Sequence, residues 1–342
     1  MPLRPDLTSS FLEHRYLLSR VIGAGSVGTV YEAIDVPSRE ERVAIKVLHP
    51  EHARDEASVE RFKRVARAAT RLRHPNVVDV RRFVAAPNAL PFLVMEYVEG
   101  ETLHDLLKRV RRITPQQAAR IGVQVLAGLE TAHRGGVIHR DLRPDNIFLG
   151  AGADGAKIAD FGAAKILSES TGRPLTVTGM LIGTIAFMPP EQARAKNVDA
   201  RSDLYALAAT LYLAVSGRSP IEAPTPAALV EAVQHQVPRP FRELELEVDD
   251  GFEAIVRKAL EKDPAARFPS AKAMARALQT WLARIPPEPQ TAPSEDSDTK
   301  RYDTLEGVSA SRSRSARSRV GLPHVGGDFG RYKVLALLAQ AA

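Results

Sequence analysis

Hydrophobic and polar residues alternate in several short segments near the start of the chain. Three of these segments, 16–22, 29–36 and 42–48, are bounded by glycine, proline or charged residues, as expected for strands joined by turns. We therefore predict an antiparallel meander. A helix is predicted next, at 58–73, where apolar residues recur at helical spacing. Two more strands are predicted at 77–84 and 91–97.

After Gly100 the alternation gives way to longer helical patterns. Helices are predicted at 102–110, 115–135, 203–216, 227–233, 252–260 and 270–284. The pattern predicts an α+β fold, with a small antiparallel-sheet lobe containing one main helix and a larger, mostly helical lobe.

These changes in pattern also predict the domain limits. We expect an N-terminal tail at 1–13 and one domain at 14–284, with the small lobe at 14–98 and the large lobe at 99–284. Residues 285–320 are rich in Pro, Ser and charged residues, which is typical of a disordered linker. Residues 321–342 form a short apolar C-terminal segment.

Composition narrows the functional class. The chain has 342 residues, 44% of them hydrophobic, and a formal charge of +6. The basic excess is small for this length, so nucleic-acid binding is not favoured, although Ser and Arg alternate at 309–319. Without cysteine there is no thiolate metal site or cysteine nucleophile. No apolar run is long enough to span a membrane, and the first residues lack a signal-peptide pattern, so we expect a cytoplasmic protein.

A glycine-rich segment follows the first strand. Its residues are Gly23, Ala24, Gly25, Ser26, Val27, Gly28, Thr29 and Val30. A G-x-G-x-x-G pattern alone is ambiguous, because plain turns and dinucleotide-binding loops share it. A dinucleotide site needs a helix after the glycines, whereas a strand is predicted here. This context favours a hairpin folded over a nucleotide, whose backbone amides approach phosphate oxygens.

Two further motifs carry charged groups at defined positions. Lys46 lies in an apolar strand, where its ammonium needs a partner such as a phosphate; a lysine at a strand edge reaching water is the alternative. The run from His139 to Asn146 reads H-R-D-L-R-P-D-N, and Asp160-Phe161-Gly162 follows a short predicted hairpin.

Together these motifs resemble the signature set of protein kinases: a Gly-rich loop, V-A-I-K, H-R-D-L-x-x-x-N and D-F-G. All four are present in order, and the resemblance covers about residues 14–284. The chain is most similar to the bacterial serine/threonine group, through Ile22–Ser26, 74–78 and 201–205.

The resemblance implies ATP and Mg²⁺ as substrate and cofactor, and specific roles for the motif residues. Asp141 would orient the substrate hydroxyl or accept its proton, Arg143 would keep a positive charge near the transferred phosphate, and Lys46 would contact the α- and β-phosphates. Asn146 and Asp160 would hold Mg²⁺. The Gly-rich residues would cover the phosphates; the residues implied around adenine are Ile22, Val30, Ala44, Phe148, the backbone of Glu96 and Val98, and Met95 behind the pocket.

The resemblance also implies substrate class and regulation. Arg143 and Thr184 favour serine or threonine acceptors in proteins over tyrosine. Thr176 and Thr178 are expected phosphorylation sites, with Arg140 as the partner of the phosphate. A dimer through the small lobe is a further possibility.

One position departs from the family. A glutamate on the small-lobe helix normally pairs with the strand lysine, and Val65 stands there. Glu60 and Glu56 lie roughly 140° and 180° around the helix from Val65, so neither replaces the glutamate. Smaller departures are Met188 before Pro-Pro-Glu and Ala208 in place of glycine; we expect Glu191 to pair with Arg267.

Val65 leaves two functional classes open. The first is an active kinase that phosphorylates serine and threonine, and the second is a pseudokinase or weakly active scaffold that binds nucleotide. An RNA-binding role of the Ser/Arg stretch is a third, less favoured hypothesis. Residues 331–338 resemble the opening strand at 15–22, which makes the C-terminal segment a possible remnant of a second kinase domain.

Overall fold

The computed structural model describes residues 6–25, 27–85, 89–150, 155–161 and 185–286, together with the backbone of a hairpin at 328–329 and 332–333. The residues up to 288 belong to one compact unit. The hairpin belongs to a second unit. Its strands β10 (Asp328–Phe329) and β11 (Tyr332–Lys333) are antiparallel, with Phe329 opposite Tyr332. Residues 287–320 of the predicted linker lie outside the described residues.

The first part of the unit is a six-stranded antiparallel sheet with the order β1-β2-β3-β4-β6-β5. Its strands are β1 (Phe11–Leu12), β2 (Tyr16–Ala24), β3 (Gly28–Asp35), β4 (Glu41–Leu48), β5 (Val80–Val84) and β6 (Phe92–Glu96). Strand β1 lies in the segment that the sequence assigns to the N-terminal tail. It forms because its backbone pairs with the start of β2.

Two helices accompany this sheet, α1 (Pro50–Ala53) and α2 (Glu56–Ala69). Helix α2 begins where the Asp55 side chain accepts a hydrogen bond from the Ser58 N–H, which satisfies one of the free amides of the first turn. It packs Phe62, Ala66 and Ala69 against one face of the sheet. The other face has its own buried apolar cluster. Both faces are therefore covered, and Lys46 is on the α2 side.

The larger lobe begins with a three-stranded sheet of order β7-β8-β9 and is otherwise helical. Its strands are β7 (Gly100–Thr102), β8 (Ile147–Gly150) and β9 (Ala156–Ile158). Its helices are α3 (Leu103–Val110), α4 (Pro115–Arg134), α5 (Pro190–Ala193), α6 (Ala200–Ser216), α7 (Pro226–His235), α8 (Asp250–Ala259) and α9 (Ala271–Leu282). Short 3₁₀ turns occur at Val36–Ser38, Pro144–Asn146, Phe241–Leu244 and Pro264–Ala266.

Helix α6 is the centre of the large lobe. Nearly every side chain from Ser202 to Ser216 is buried, and α4, α8 and α9 pack around it. Since α6 is covered on all sides, its sequence after Asp203 is mostly apolar and lacks a polar stripe. The predicted two-lobed α+β fold is confirmed. No helix among the described residues is long and apolar enough to cross a membrane.

Candidate active site

The Gly-rich segment is the turn between β2 and β3. Strand pairing continues to Ala24 opposite Thr29, and the Gly25 N–H donates to the Gly28 carbonyl at 3.0 Å. A side chain at Gly28 would collide with the carbonyl oxygen of Val47 on β4, so only glycine fits there. A strand follows the glycines, which excludes the dinucleotide-binding arrangement; Ser26 lies outside the described residues.

Lys46 makes an ion pair across the cleft between the lobes. Its Nζ donates to Oδ1 of Asp160 at 2.8 Å, and the lysine side chain is only 10% exposed. Strand β4 holds Lys46 between β3 and β6, where it lies opposite Val30 and Leu93. The sheet thus directs one buried cation towards the end of β9.

Asp141 and Asn146 are held in one loop. The Asn146 side-chain amide donates to the backbone carbonyl of Asp141 at 2.6 Å and to its Oδ2 at 3.3 Å. The Asn146 backbone carbonyl accepts the Ala159 N–H at 2.9 Å, which ties this loop to the residue before Asp160. Arg143 pairs with Asp145 at 2.9 Å.

Asp160 follows β9 in a left-handed backbone conformation, with φ of 64°. Such a conformation costs a non-glycine residue about 1–3 kcal/mol, so neighbouring contacts must stabilise it. His139 supplies two of them: Nε2 contacts the Ala159 carbonyl at 2.7 Å, and its ring packs edge-on against Phe161 at 4.6 Å. The carboxylate is thereby directed to Lys46.

The two aspartates have pKa values shifted in opposite directions. Burial raises the pKa of Asp141 above its ordinary value, and the nearby charges of His139 and Arg143 oppose this. Burial also acts to raise the pKa of Asp160, but the charge and hydrogen bond of Lys46 outweigh it and lower that pKa. One carboxyl group is thus the readier proton acceptor, and the other stays ionised.

Asn146 and Asp160 offer oxygen atoms suited to Mg²⁺. The amide nitrogen of Asn146 is used by Asp141, which leaves its side-chain oxygen as an acceptor. Asp160 uses Oδ1 for Lys46, and no described residue donates a hydrogen bond to its Oδ2. Carboxylate and amide oxygens are the ligands that Mg²⁺ prefers, so the two residues fit the metal.

The residues implied around adenine differ in their degree of burial. Ala44 and Met95 are 7% exposed, whereas Ile22 is 38% exposed. Val30 and Val98 are partly buried beside the α2-side cluster. Phe148 lies on β8, opposite Thr102 and Lys157, and is partly buried.

Val65 lies on the side of α2 that faces Lys46. Both residues line one small cavity of about 30 Å³, together with Asp160, Ala66 and Ala69. The acidic residues of α2 lie elsewhere: Glu56 is exposed in the first turn, and Glu60 pairs with Lys63 at 2.8 Å. Among the described residues, therefore, no carboxylate of α2 reaches Lys46.

Two contacts of the site were missed by sequence reasoning. Asp203 on α6 accepts hydrogen bonds from the backbone N–H groups of His139 and Arg140, each at 2.9 Å, and so fixes the start of the loop that carries Asp141 and Asn146. Arg140 also has a left-handed φ of 67°. An acidic residue within an otherwise apolar helix is the signal that could have identified Asp203.

The second missed contact joins the lobes. Lys157 on β9 donates to both carboxylate oxygens of Glu96, at 2.6 and 2.8 Å. Glu96 ends β6, and Lys157 precedes Asp160 by three residues, so this pair links the predicted adenine and metal positions. Farther from the cleft, the predicted pair of Glu191 and Arg267 is present, with two hydrogen bonds of 2.8 Å.

The predicted activation-segment residues Thr176, Thr178 and Thr184 lie outside the described residues. Arg140, the expected partner of a phosphate on Thr176 or Thr178, makes no ion pair with any residue that the structure describes.

Comparison with known proteins agrees with this geometry. The protein kinase domain family model matches residues 16–279. The serine/threonine-protein kinase pkn3 of Myxococcus xanthus is 38% identical over 286 residues, which are 81% of this chain and 52% of the relative. PknB of Mycobacterium tuberculosis is 36% identical over 305 residues, covering 87% and 47%.

The crystal structure of the Mycobacterium tuberculosis PknI kinase domain has a TM-score of 0.63 and 26% identity, covering 80% of this chain and 99% of that one. The chain spans about half the length of the curated relatives it matches. The family match covers most of the chain and includes every motif described above, and the chain therefore belongs to the protein kinase family.

Proposed function

We propose that the chain transfers the γ-phosphoryl group of ATP to serine and threonine hydroxyls of proteins. The observation that carries this proposal is the convergence of Lys46, Asp141, Asn146 and Asp160 on one cleft. Phosphoryl transfer needs positioning and charge neutralisation more than covalent help, and these four residues supply both.

Each residue has a role that follows from its surroundings. Asp141, whose pKa is raised by burial, orients the acceptor hydroxyl and takes its proton. Lys46 binds the α- and β-phosphates. Asn146 and Asp160 hold Mg²⁺, which neutralises charge on the phosphate oxygens. Arg143 adds positive charge beside Asp141, although its pair with Asp145 partly offsets that charge.

Adenine binds between the lobes, next to Ile22, Val30, Ala44 and Phe148. The exposure of Ile22 supports this, because a flat apolar ligand would bury the exposed surface of this aliphatic side chain. The Glu96 N–H already donates to the Asp79 carbonyl at 2.8 Å. The Glu96 carbonyl and the Val98 N–H are therefore the groups that bond adenine.

The activation segment is regulated by phosphorylation of Thr176 or Thr178. A phosphothreonine adds about −1.5 to −2 charge, and Arg140 is the expected partner. Phosphopeptide mapping and the double Ala variant test this: if neither threonine is modified and activity is unchanged, the proposal is wrong. The dimer through the small lobe and the cytoplasmic location stay predictions.

The central test is simple. The purified chain is incubated with Mg²⁺ and ATP, and its intact mass is compared with that of Asp141→Asn treated identically. We expect phosphate on the wild type alone. Nucleotide binding without any phosphate transfer, to itself or to a general protein substrate, would instead support the pseudokinase hypothesis.

A further inference from the structure

We propose that the cavity beside Lys46 binds a small monocarboxylate anion, of the size of formate or acetate, which takes the place of the carboxylate that α2 lacks. The inference concerns the site of the proposed kinase reaction and rests on that function for its effect on rate. The binding itself does not depend on phosphate transfer.

The size of the cavity fits such an anion. Its volume of about 30 Å³ exceeds the ~10–15 Å³ needed to hold one water molecule on the same kind of measure. A valine side chain ends at its γ carbons, whereas glutamate continues with one carbon and two oxygens. Those three missing heavy atoms are the heavy atoms of formate. Ala66 and Ala69 line the same space and keep it open.

The charge in the cavity also fits. Lys46 is nine-tenths buried, and its ammonium has three N–H donors. Asp160 accepts one of them, and the structure shows no second acceptor for Lys46 among the described residues. Unsatisfied donors on a buried cation are costly, and a charged acceptor satisfies them best.

The size and lining of the cavity disfavour larger anions and neutral molecules. Apart from Lys46 and Asp160, the lining residues are apolar, including Phe62, Val65 and Met95. A larger organic anion would not fit, and a neutral molecule of the same size would gain no ionic contact. Because Lys46 and Asp160 already balance each other, an added anion leaves one net negative charge. We therefore expect tighter anion binding when Mg²⁺ is present.

The activity test compares salts of equal ionic strength. Sodium formate and sodium acetate replace sodium chloride in a phosphate-transfer assay, and formamide and acetamide serve as neutral controls of matching size. We expect a saturable rise in turnover of ~3- to 10-fold with the carboxylates only, a fraction of the ~10²–10³ that one pre-organised electrostatic partner provides. Equal responses to acetate and acetamide would overturn the proposal.

Two variants test the location of the site. Val65→Phe fills the cavity, and Val65→Glu supplies an internal carboxylate; each should abolish the response to formate. Either variant suffices if the other does not fold. A response of the wild-type size in a folded variant would contradict the assigned site.

A binding measurement separates this proposal from the proposed function. Formate should raise the Tm of the wild type, as expected for a ligand that binds only the folded state, and it should not raise the Tm of Val65→Phe beyond a common salt effect. If the chain transfers no phosphate but shows this difference, the anion site stands and the kinase proposal fails. If the two proteins respond alike, the anion site is wrong, whatever the activity.

Discussion

The loop around Asp141 and the end of β9 around Asp160 place two carboxylates in the same cleft, in contrasting surroundings. Asp160 is paired with Lys46 at 2.8 Å. Among the residues that the structure describes, Asp141 has no ion-pair partner, and its carboxylate accepts one side-chain hydrogen bond, from Asn146 at 3.3 Å. The pKa of Asp160 is lowered and that of Asp141 is raised.

This difference separates two chemical roles. Carboxyl groups whose surroundings push their pKa values apart divide into one that exchanges protons and one that stays charged. Asp141 has the character of a proton acceptor, and Asp160 that of a permanent anion for a cation. The motif resemblance implied different roles for the two aspartates, and their neighbours supply the physical reason for the difference.

The largest expected effect comes from Asp141→Asn. We expect turnover to fall by ~10²–10⁴, the usual contribution of general acid–base catalysis, with little change in nucleotide affinity, because Asp141 does not contact Lys46. Asp160→Asn is the matched control and should lose both turnover and nucleotide affinity. Rate assays combined with nucleotide titration separate the two variants, and an equal loss of nucleotide affinity in both would show that the two roles are not distinct.

Val65→Glu should produce the next largest effect, an increase in turnover. A carboxylate on this face of α2 would hold Lys46 in place, and one pre-organised electrostatic partner contributes roughly 10²–10³ in rate. The wild type should accordingly fall well below the ~1–100 s⁻¹ usual for kinases. Val65→Gln, similar in shape but uncharged, is the control.

The contrary outcome of that substitution is equally specific. If the site has repacked around valine, a new buried charge would destabilise the small lobe by several kcal/mol. Turnover and Tm of both variants distinguish these results, and unchanged or lower activity in a well-folded Val65→Glu protein would refute the missing-partner account.

The opposite pKa shifts predict opposite effects on stability. The raised pKa of Asp141 means that the folded state holds its proton more tightly, so stability falls as pH rises from about 3.8 through the folded pKa. The lowered pKa of Asp160 contributes stability above about 3.8 that is lost as pH falls through the lower folded value.

At pH 7, therefore, Asp141→Asn should raise Tm and Asp160→Asn should lower it, with each kcal/mol corresponding to roughly 2–4 °C. The Tm difference between Asp141→Asn and the wild type should shrink in acid, at pH values below the pKa of Asp141 in both the folded and the unfolded state. Shifts of the same sign at pH 7 would contradict the assigned surroundings. Protonation of Asp141 should also produce the acid limb of the rate profile, at a pH above 3.8.

The smallest effect is expected for Lys157→Met. Its pair with Glu96 is about one-quarter exposed on both sides, so a contribution of ~0.5–1 kcal/mol is reasonable. We expect the KM for ATP to rise ~2- to 5-fold with kcat unchanged, since the pair positions β9 relative to the backbone that we propose binds adenine. Glu96→Gln should behave alike, and a fall in kcat without a change in KM would exclude this positioning role.

Periodicity was sufficient to predict most elements, but their ends depend on distant partners. The predicted strand 77–84 begins only at Val80, because Val77 and Val78 lie beside Ile158 of β9 instead. The predicted helix 58–73 starts earlier, at Glu56, where Asp55 caps it. Ile158 lies about 80 residues further along the chain, so the local sequence pattern around Val77 cannot reveal this contact.

The candidate site, too, was predicted only in part from the sequence. The resemblance of the motifs to those of protein kinases implied that Lys46, Asp141, Asn146 and Asp160 belong to one site. The contacts that orient them were not predicted, because Asp203 and the Glu96–Lys157 pair act across 60 residues or more. Their partners are backbone amides or ordinary surface charges, which leave no pattern in sequence. The charge of Asp203 in an apolar helix marks that residue but does not identify its partners.

Strand β9 has a consequence for how the molecule opens. Ile158 pairs with Ile147 of β8 in the large lobe, while its N–H donates to the Asn76 carbonyl and its carbonyl accepts the Val78 N–H, both at 2.9 Å. In native-state hydrogen exchange, the amide hydrogens of Val78 and Ile158 should therefore exchange together, through one cooperative opening that separates the lobes. Amides at the β1 edge of the sheet should exchange independently and faster.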